Sequence, residues 1–228
     1  MDNDTLNLTE GLYMAIDINN IIEAVKEARE SGKKRNFLQS FDLIINLKDL
    51  DLKQPRNRIS GTITLPHKFS KPRKILVFGE GDLAVRAKKL GLPVLGKKDI
   101  EILGGDKKRI KKLAEEYDII LASTDLMPHI GRYLGQVLGP RDKMPIPIPP
   151  TIKLEDVIEN YQKMVKYRVK NTPVLQVKVG DENMDDQQIA ENIRAVIDNI
   201  LHKLERGLAN IGSIYVKKTM GPAVQIKI

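Results

Sequence analysis

Apolar and polar residues alternate with two different periods along the first third of the chain. From Ile18 to Ala28 the apolar side chains recur every three or four residues, which predicts an amphipathic helix. Asp17 can cap the start of this helix, and Gly32 can end it. From Phe41 to Leu47 and again from Ile59 to Leu65, apolar or small residues occupy every second position. A period of two is typical of strands with one buried face, so this part predicts a helix followed by two antiparallel strands.

Beyond the second strand, short and continuously apolar runs alternate with helical stretches. Lys74 to Gly79 (KILVFG) and Asp118 to Thr124 (DIILAST) are typical of parallel strands, because both faces of such strands are covered. The stretch from Asp82 to Leu90 predicts a helix between them, and LMPHIGRYLGQVLG predicts another that starts near Pro128. The alternation predicts an α/β layer with a parallel sheet.

A proline-rich run separates this layer from the rest of the chain. Five of the twelve prolines fall between Pro140 and Pro150, and such a run fits neither a helix nor a central strand. We interpret it as an extended linker or domain crossing. Beyond it, the pattern predicts a helix from Leu154 to about Lys166, a strand from Pro173 to Val179, a helix opened by a capping box of Asp185 and Gln188, and a final hairpin turning at Thr219 to Pro222.

Both ends of the chain therefore combine helices with alternating strands, whereas the middle is an α/β layer of another kind. One domain could be built from both ends, with the second domain inserted between them. Three consecutive modules fit the pattern nearly as well, because periodicity does not say which elements pack together.

The charge of the chain favours an acidic partner. Lys and Arg number 38 against 30 Asp and Glu, which gives a net charge of +8 and a pI near 9.4. Nucleic acid is the leading candidate, although a basic but inert surface explains the charge equally well. Aromatic residues make up only 4% of the chain and Trp is absent, so stacking of many bases on many rings is not expected.

The same composition excludes several classes of protein. Without Cys the chain forms no disulfide, iron–sulfur cluster or thiolate zinc site. No apolar run approaches the roughly 20 residues that span a bilayer, and the acidic start MDNDTLNLTEGLY is unlike a secretory signal. We therefore expect a soluble, cytoplasmic protein with no membrane partner.

An enzymatic site has little support in the sequence. The histidines are well separated, no pair has the spacing of metal ligands on a helix, and no serine lies in a nucleophile elbow. Gly79 and Gly81 follow a strand and precede a helix, as in dinucleotide-binding turns. However, Ala84 replaces the third glycine and Asp82 would repel phosphates. A nucleotide-dependent enzyme is one hypothesis, an ordinary strand-to-helix turn is the alternative, and no cofactor is predicted.

Three basic clusters favour binding of nucleic acid. The first is Lys33–Arg35 beside Phe37, whose ring could stack on a base or instead begin the core of the next strand. The second surrounds Tyr167 in KMVKYRVKN, and the third is Lys217 with Lys218. If the two chain ends fold together, the three clusters could share one face, which favours nucleic acid more than any single cluster does.

Four motifs resemble those of one known family: VKKTMGPAVQI, LGQVLGPRDKMP, NIRAVIDNI and GTITLPH. Occurring together in the family's order, they are similar to the L-one family of large-subunit ribosomal proteins, the protein of the mobile side stalk. The stretch FLQSFDLIINLKDLDLKQPRNR resembles the archaeal branch of this family, and the match runs from about Ile18 to Ile228.

The resemblance implies an α/β fold with two domains. One is a discontinuous α/β sandwich built from both termini, residues 1–66 and 161–228, and the other is an inserted Rossmann-like domain, residues 67–160. The implied function is binding of large-subunit ribosomal RNA of the side stalk, assistance in release of deacylated tRNA, and repression of the protein's own messenger RNA. No enzymatic activity or cofactor belongs to this function, and tRNA is an indirect partner. A protein-interaction adaptor that docks through the inserted domain is a further hypothesis.

The resemblance also implies a set of RNA-binding residues. They are Lys34, Arg35, Phe37, Gln39, Ser40, Asp42, Arg168, Lys170, Ser213, Thr219, Met220 and Gly221. At the hairpin tip we expect the Thr219 hydroxyl to bond a ribose 2′-OH or a phosphate, Met220 to pack against a ribose or base, and Gly221 to let RNA approach the backbone. The alternative for Met220 is a core position beneath the hairpin.

Overall fold

The structure is a computed structural model, and it forms two compact units. It describes residues 17–50, 59–149, 152–169 and 172–227. The first unit contains residues 1–70 and 163–228, and the second contains residues 71–162. Elements from both ends of the chain thus share the first unit.

The described residues form ten strands and eight α-helices. The strands are β1 (Ser40–Leu47), β2 (Ser60–Thr64), β3 (Ile75–Phe78), β4 (Val94–Leu95), β5 (Ile119–Ser123), β6 (Ile146–Ile148), β7 (Met164–Arg168), β8 (Val174–Asp181), β9 (Ile211–Lys218) and β10 (Ala223–Ile226). The helices are α1 (Ile18–Ser31), α2 (Gly81–Lys89), α3 (Lys97–Gly104), α4 (Lys107–Glu116), α5 (Met127–Tyr133), α6 (Gly135–Leu138), α7 (Leu154–Lys163) and α8 (Asp186–Leu201). None of these helices combines the length and the apolar character needed to cross a membrane.

The first unit is built on a four-stranded antiparallel sheet with the strand order β10–β9–β1–β8. Phe41, Leu43 and Ile45 point to one face of β1 and are fully buried, as the alternation predicts. Helices α1 and α8 pack against each other and contribute to the core on this face. The alternate residues of β1, which are Ser40, Asp42, Ile44 and Asn46, lie on the opposite face of the sheet and are only partly buried.

The two α-helices in the described part of the first unit begin where the sequence predicts. Asp17 caps α1 by accepting a hydrogen bond from the backbone N of Asn19 (3.0 Å). Asp185 and Gln188 form the capping box of α8. The cap and the capping box are confirmed because both depend only on residues close together in the sequence.

A separate antiparallel pair, β2 with β7, belongs to the same unit. The predicted helix that ends near Lys166 is too long, because α7 stops at Lys163 and β7 follows at once. In β7, Val165 and Tyr167 point into the core, and Tyr167 Oη donates to Asn199 Oδ1 (3.2 Å). Burial of alternate side chains outweighs the local helical pattern in this segment.

The second unit is built on a parallel sheet with the strand order β4–β3–β5–β6. Leu76 and Phe78 of β3 point into one apolar core. Ile75 and Val77 point into a second core on the other face. Because both faces are covered, the strand is apolar at every position. Together with the antiparallel sheet of the first unit, this sheet confirms the predicted α/β class.

The proline-rich run contains a strand that the sequence interpretation missed. β6 pairs in parallel with β5 at the edge of the sheet, and its Pro147 lies opposite Ala122. Proline cannot donate to a ladder, but an edge strand has one side without a partner strand, so Pro147 is tolerated there. The interpretation as a linker is wrong for β6, whereas the exclusion of a central strand is confirmed.

The single helix predicted to start near Pro128 is divided in the structure. A 3-10 turn at Thr124–Leu126 is followed by α5 and α6, which Leu134 separates. Gly131 and Gly135 flank the break, and glycine is the poorest helix former after proline. The apolar pattern continues through the break, which is why periodicity alone predicts one helix.

Candidate nucleic-acid interface

The tip of the final hairpin packs against the start of β1. Thr219 N donates to the carbonyl O of Ser40 (3.0 Å), and Ser40 N donates to the hydroxyl of Thr219 (3.1 Å). Met220 N donates to Gln39 Oε1 (3.2 Å). Residues from opposite ends of the sequence therefore fix the backbone of the tip.

Two large apolar side chains next to these contacts in the sequence are exposed. Phe37 is 53% exposed and Met220 is 57% exposed, so the alternative that either is a core residue is wrong. Lys33–Arg35 are exposed as well. Apolar groups and cations together suit a ligand that offers phosphates along with ribose or base faces.

The third residue of the tip, Gly221, packs closely on the end of α1. A Cβ at this position would lie 3.2 Å from Lys218 Cβ and 3.5 Å from Gly32 Cα. The missing side chain would therefore point into the protein. Glycine here allows the tip to pack tightly on Gly32.

Gln39 is a predicted RNA contact whose side chain is completely buried. Its Nε2 donates to Lys33 O (3.2 Å) and to Glu182 Oε1 (3.1 Å), while its Oε1 accepts from Met220 N. The amide is thus occupied by bonds within the protein. Direct contact of this side chain with RNA does not fit the structure, and Gln39 instead supports the tip.

Lys218 also differs from the sequence interpretation, which grouped it with Lys217 as part of a basic cluster. Its side chain is only 4% exposed, and its Nζ lies 3.2 Å from both Gly32 O and Glu182 Oε1. A buried and paired ammonium group is not available to a phosphate. Lys217, the preceding residue of β9, lies on the outer face and pairs with Asp42 of β1.

Glu182, which the sequence reasoning missed, lies at the centre of these contacts. Its Oε2 accepts from Gln39 N (3.1 Å), and its Oε1 accepts from Gln39 Nε2 and Lys218 Nζ. Burial by itself raises the pKa of Glu182, but the bonds from Gln39 and Lys218 and the charge of Lys218 outweigh it. The net effect is a pKa below the ordinary value, so the group is a carboxylate at neutral pH.

Arg29 of α1 holds the loop that carries Glu182. Its guanidinium donates to Glu182 O, Met184 O and Asp186 Oδ1, each at 2.7 Å, and lies 5.2 Å from the ring centre of Phe41. These partners are at least 153 positions away in the sequence. No local pattern marks such a contact, which explains why sequence reasoning missed Arg29 as well.

Asp42 lies on the outer face of the sheet, between Lys217 of β9 and Lys178 of β8. Burial raises the pKa of the Asp42 carboxyl, and the charges of Lys178 and Lys217 offset only part of the effect. The Asp42 carboxyl therefore takes up a proton more readily than the carboxyl of an exposed aspartate. Next to RNA it would carry an unfavourable charge that the two lysines partly neutralise.

Ser213 is on the same face but at the other end of β1. Its hydroxyl accepts a hydrogen bond from Asn46 Nδ2 (2.8 Å), whereas Thr219 bonds Ser40. The six-residue step from Ser40 to Asn46 corresponds to about 20 Å of strand. The structure therefore does not bring Ser213 to the hairpin tip, and an RNA that touches both must extend along the sheet.

The last predicted pair, Arg168 and Lys170, is only partly described. Arg168 is exposed at the end of β7, opposite Ser60 of β2. Lys170 lies outside the described residues. A few positions later Pro173 O accepts from Leu47 N (2.7 Å), so the chain reaches the end of β1 that is remote from the tip.

The turn at Gly79 and Gly81 has the geometry of a structural turn. A Cβ at Gly79 would lie 3.0 Å from Leu83 Cδ2, and Gly81 has φ +58°, which favours glycine. Glu80 Oε1 accepts from Lys97 N (2.9 Å) and thereby joins the turn to the start of α3. The acidic side chain at this turn disfavours a phosphate and supports the ordinary strand-to-helix alternative.

A comparison with protein families decides where the chain belongs. The model of the Ribosomal protein L1p/L10e family matches residues 25–222, most of the chain. The chain belongs to the ribosomal protein L1p/L10e family. This membership confirms the resemblance found in the motifs. Because the L1p/L10e proteins are structural components of ribosomes, it also confirms that the chain is not an enzyme.

Curated relatives of this L1p/L10e member cover nearly its whole length, and each is named "Large ribosomal subunit protein uL1". The protein of Thermococcus kodakarensis is 46% identical over 215 residues, 94% of this chain and 100% of the relative. That of Pyrococcus abyssi is 48% identical, over 94% of this chain and 98% of the relative. That of Methanocaldococcus jannaschii is 48% identical, over 91% and 94% respectively. These organisms agree with the predicted archaeal branch.

Proposed function

We propose that this L1p/L10e protein is a cytoplasmic component of the large ribosomal subunit that binds the ribosomal RNA of the mobile side stalk. The single observation that carries the proposal is the hairpin tip, where the exposed Met220 stands on a backbone that Ser40 and Gln39 hold. The names of the curated relatives support the assignment to the large subunit.

The hydroxyl of Thr219 can still accept one hydrogen bond from RNA. It accepts from Ser40 N (3.1 Å) and donates to Ser40 O (3.3 Å), which uses its hydrogen and one of its two lone pairs. The remaining lone pair can accept a hydrogen bond, and a ribose 2′-OH can donate one. A phosphate cannot donate one, so in our proposal Thr219 contacts a ribose 2′-OH or the N–H of a base rather than a phosphate.

Met220 and Phe37 provide the apolar part of the proposed contact. An exposed thioether side chain is flexible and polarisable, and it can fit against a ribose or the face of a base. The ring of Phe37 can stack on a base. In our proposal Lys34 and Arg35 bind phosphates, and Gln39 supports the tip. The other residues of the proposed RNA-binding surface are Ser40, Asp42, Arg168, Lys170, Ser213 and Gly221.

We further propose that the two compact units correspond to two domains, of which the unit with both chain ends carries the RNA-binding surface. In the ribosome this protein would shape the stalk and assist release of deacylated tRNA, without itself being the principal tRNA contact. Binding of a similar fold in its own messenger RNA would repress translation. These finer functions follow from the family resemblance.

The affinity of two tip variants for a transcribed side-stalk fragment of large-subunit ribosomal RNA tests the proposal. Thr219→Ala and Met220→Ala should each weaken binding by about 1–3 kcal/mol, taking losses of single nucleic-acid contacts as a guide. The melting temperature of Met220→Ala should stay near that of the parent protein, because the Met220 side chain is exposed. Thr219→Ala should lose up to about 1.5 kcal/mol of stability, because it also removes the two hydrogen bonds between the hydroxyl and Ser40.

Met144→Ala is the matched control, since Met144 is also exposed (38%) but lies in the second unit. It should bind the fragment as the parent protein does. Equal affinities for the Met220 and Met144 variants would show that the tip is not the contact. A large loss of stability in the Met220 variant would mean that the side chain acts in folding.

A further inference from the structure

A carboxylate lies directly beneath the proposed RNA-binding tip. Glu182 accepts hydrogen bonds from Gln39 N (3.1 Å), Gln39 Nε2 (3.1 Å) and Lys218 Nζ (3.2 Å). A negative charge close to bound RNA is unfavourable, because the phosphates repel it. Its presence here needs a reason other than attraction for the ligand.

The two residues that donate to Glu182, Gln39 and Lys218, also contact the tip or the residue on which it packs. Gln39 Oε1 accepts from Met220 N (3.2 Å), and Lys218 Nζ donates to Gly32 O (3.2 Å). Gly32 in turn is the surface on which Gly221 packs. One carboxylate thus orients both the amide that binds the backbone of the tip and the ammonium that borders it.

Arg29 fixes the backbone of the loop that carries Glu182. Arg29 donates to the backbone carbonyl of Glu182 and to that of Met184, both at 2.7 Å. Gln39 is fully buried and Lys218 is 4% exposed, whereas the Glu182 side chain is 24% exposed. The donors are therefore shielded from water, and leaving them without an acceptor would be costly.

We propose that Glu182 is a positioning residue that, through Gln39 and Lys218, holds the Thr219–Gly221 tip in its RNA-binding shape. The proposal rests on the RNA-binding function proposed above. The lowered pKa of Glu182 agrees with a carboxylate that stays charged while it accepts these bonds.

Gly32 offers a way to disturb the same contacts without changing any charge. Its backbone angles, φ −83° and ψ 125°, are accessible to every residue, so glycine is not needed for conformation. A Cβ would instead overlap Lys218 Cε. Gly32→Ala should therefore displace the Lys218 side chain from Glu182.

The decisive experiment compares Glu182→Gln with Glu30→Gln in binding the side-stalk RNA fragment. Both variants remove one negative charge, and Glu30 is exposed on α1 close in sequence to the tip support. If charge alone matters, both should bind RNA slightly more tightly than the parent protein. If Glu182 positions the tip, Glu182→Gln should bind roughly tenfold more weakly, because one carboxamide oxygen cannot serve three donors.

Hydrogen exchange of the Met220 amide in the free protein reports the positioning directly. This amide should exchange faster in Glu182→Gln and Gly32→Ala, and at the parent rate in Glu30→Gln. In the double variant with Met220→Ala, the effect of Glu182→Gln on affinity should shrink, because both changes act on the same contact.

The possible results separate the two proposals. Failure of the parent protein to bind the fragment would overturn the proposed function. Binding by the parent with equal or tighter binding by Glu182→Gln would overturn the positioning role alone. Should Glu182→Gln fail to fold, Gly32→Ala decides: a folded Gly32 variant with parental affinity also overturns the positioning role.

Discussion

At the scale of single residues, two carboxyl groups of the candidate surface have pKa values shifted in opposite directions. Glu182 is a better acid than usual because the bonds from Gln39 and Lys218 outweigh its burial. Asp42 is a weaker acid than usual because its burial outweighs the charges of Lys178 and Lys217. The first therefore contributes stability at neutral pH, and the second reduces it.

The raised pKa of Asp42 predicts that Asp42→Asn stabilises the protein at pH 7. The folded state holds the Asp42 proton more tightly than the unfolded chain, so the cost of the charged form applies above the folded pKa. That cost disappears as the pH falls through this pKa, which lies above the ordinary value of about 3.9. Thermal melts of both proteins between pH 7 and pH 4 should show a gap that narrows on acidification.

A lower melting temperature for the Asn variant at pH 7 would contradict this account of Asp42. It would mean that attraction to Lys178 and Lys217 outweighs burial. Asp125→Asn in the second unit is the control for the general effect of an Asp-to-Asn change on an exposed residue.

At the scale of elements, the alternation of β9 separates two neighbouring lysines. Lys217 lies on the outer face, whereas Lys218 is buried against Gly32 and Glu182. The salt dependence of RNA binding should report the difference. Lys217→Ala should reduce the slope of log affinity against log salt by about 0.7–0.9, the value for one lost phosphate contact.

Lys218→Ala should weaken binding at every salt concentration but leave this slope unchanged, because its effect passes through the tip. Binding isotherms at several salt concentrations measure both quantities. Equal changes of slope in the two variants would contradict the assignment of Lys218 to support rather than to phosphate.

Elements with a clear local period could be predicted from the sequence. The stripe of α1, the alternation of β1 and the capping box of α8 each depend on neighbours within a few positions. β6 and β7 were missed because partners remote in sequence stabilise them: Pro147 lies opposite Ala122, and Tyr167 bonds Asn199. The periodicity of apolar residues does not show which distant residues will become partners.

The candidate site could be predicted only in part, for the same reason. The exposed Phe37 and Met220 follow from the motifs of the family resemblance. The support beneath them does not, because Arg29 and Glu182 are joined by contacts across at least 153 positions. Burial of Gln39 and Lys218 likewise depends on the folded arrangement.

At the scale of the whole molecule, bonds between the two ends of the chain define the proposed RNA-binding surface. Ser40 and Thr219 are 179 positions apart and bond each other through backbone and hydroxyl. Periodicity left open whether the ends share a domain or form separate modules. The compact unit of residues 1–70 and 163–228 contains both ends, and the exposed tip belongs to it.

Crosslinking of the intact protein to RNA in cells tests the central claim most directly. After ultraviolet irradiation, sequencing identifies the bound RNA and mass spectrometry identifies the crosslinked peptide. The account predicts side-stalk RNA of the large subunit, with the protein's own messenger RNA as a second target, joined to peptides that carry Phe37 or Met220. Crosslinks that avoid both peptides and fall only in residues 71–162, or RNA unrelated to the large subunit, would contradict it.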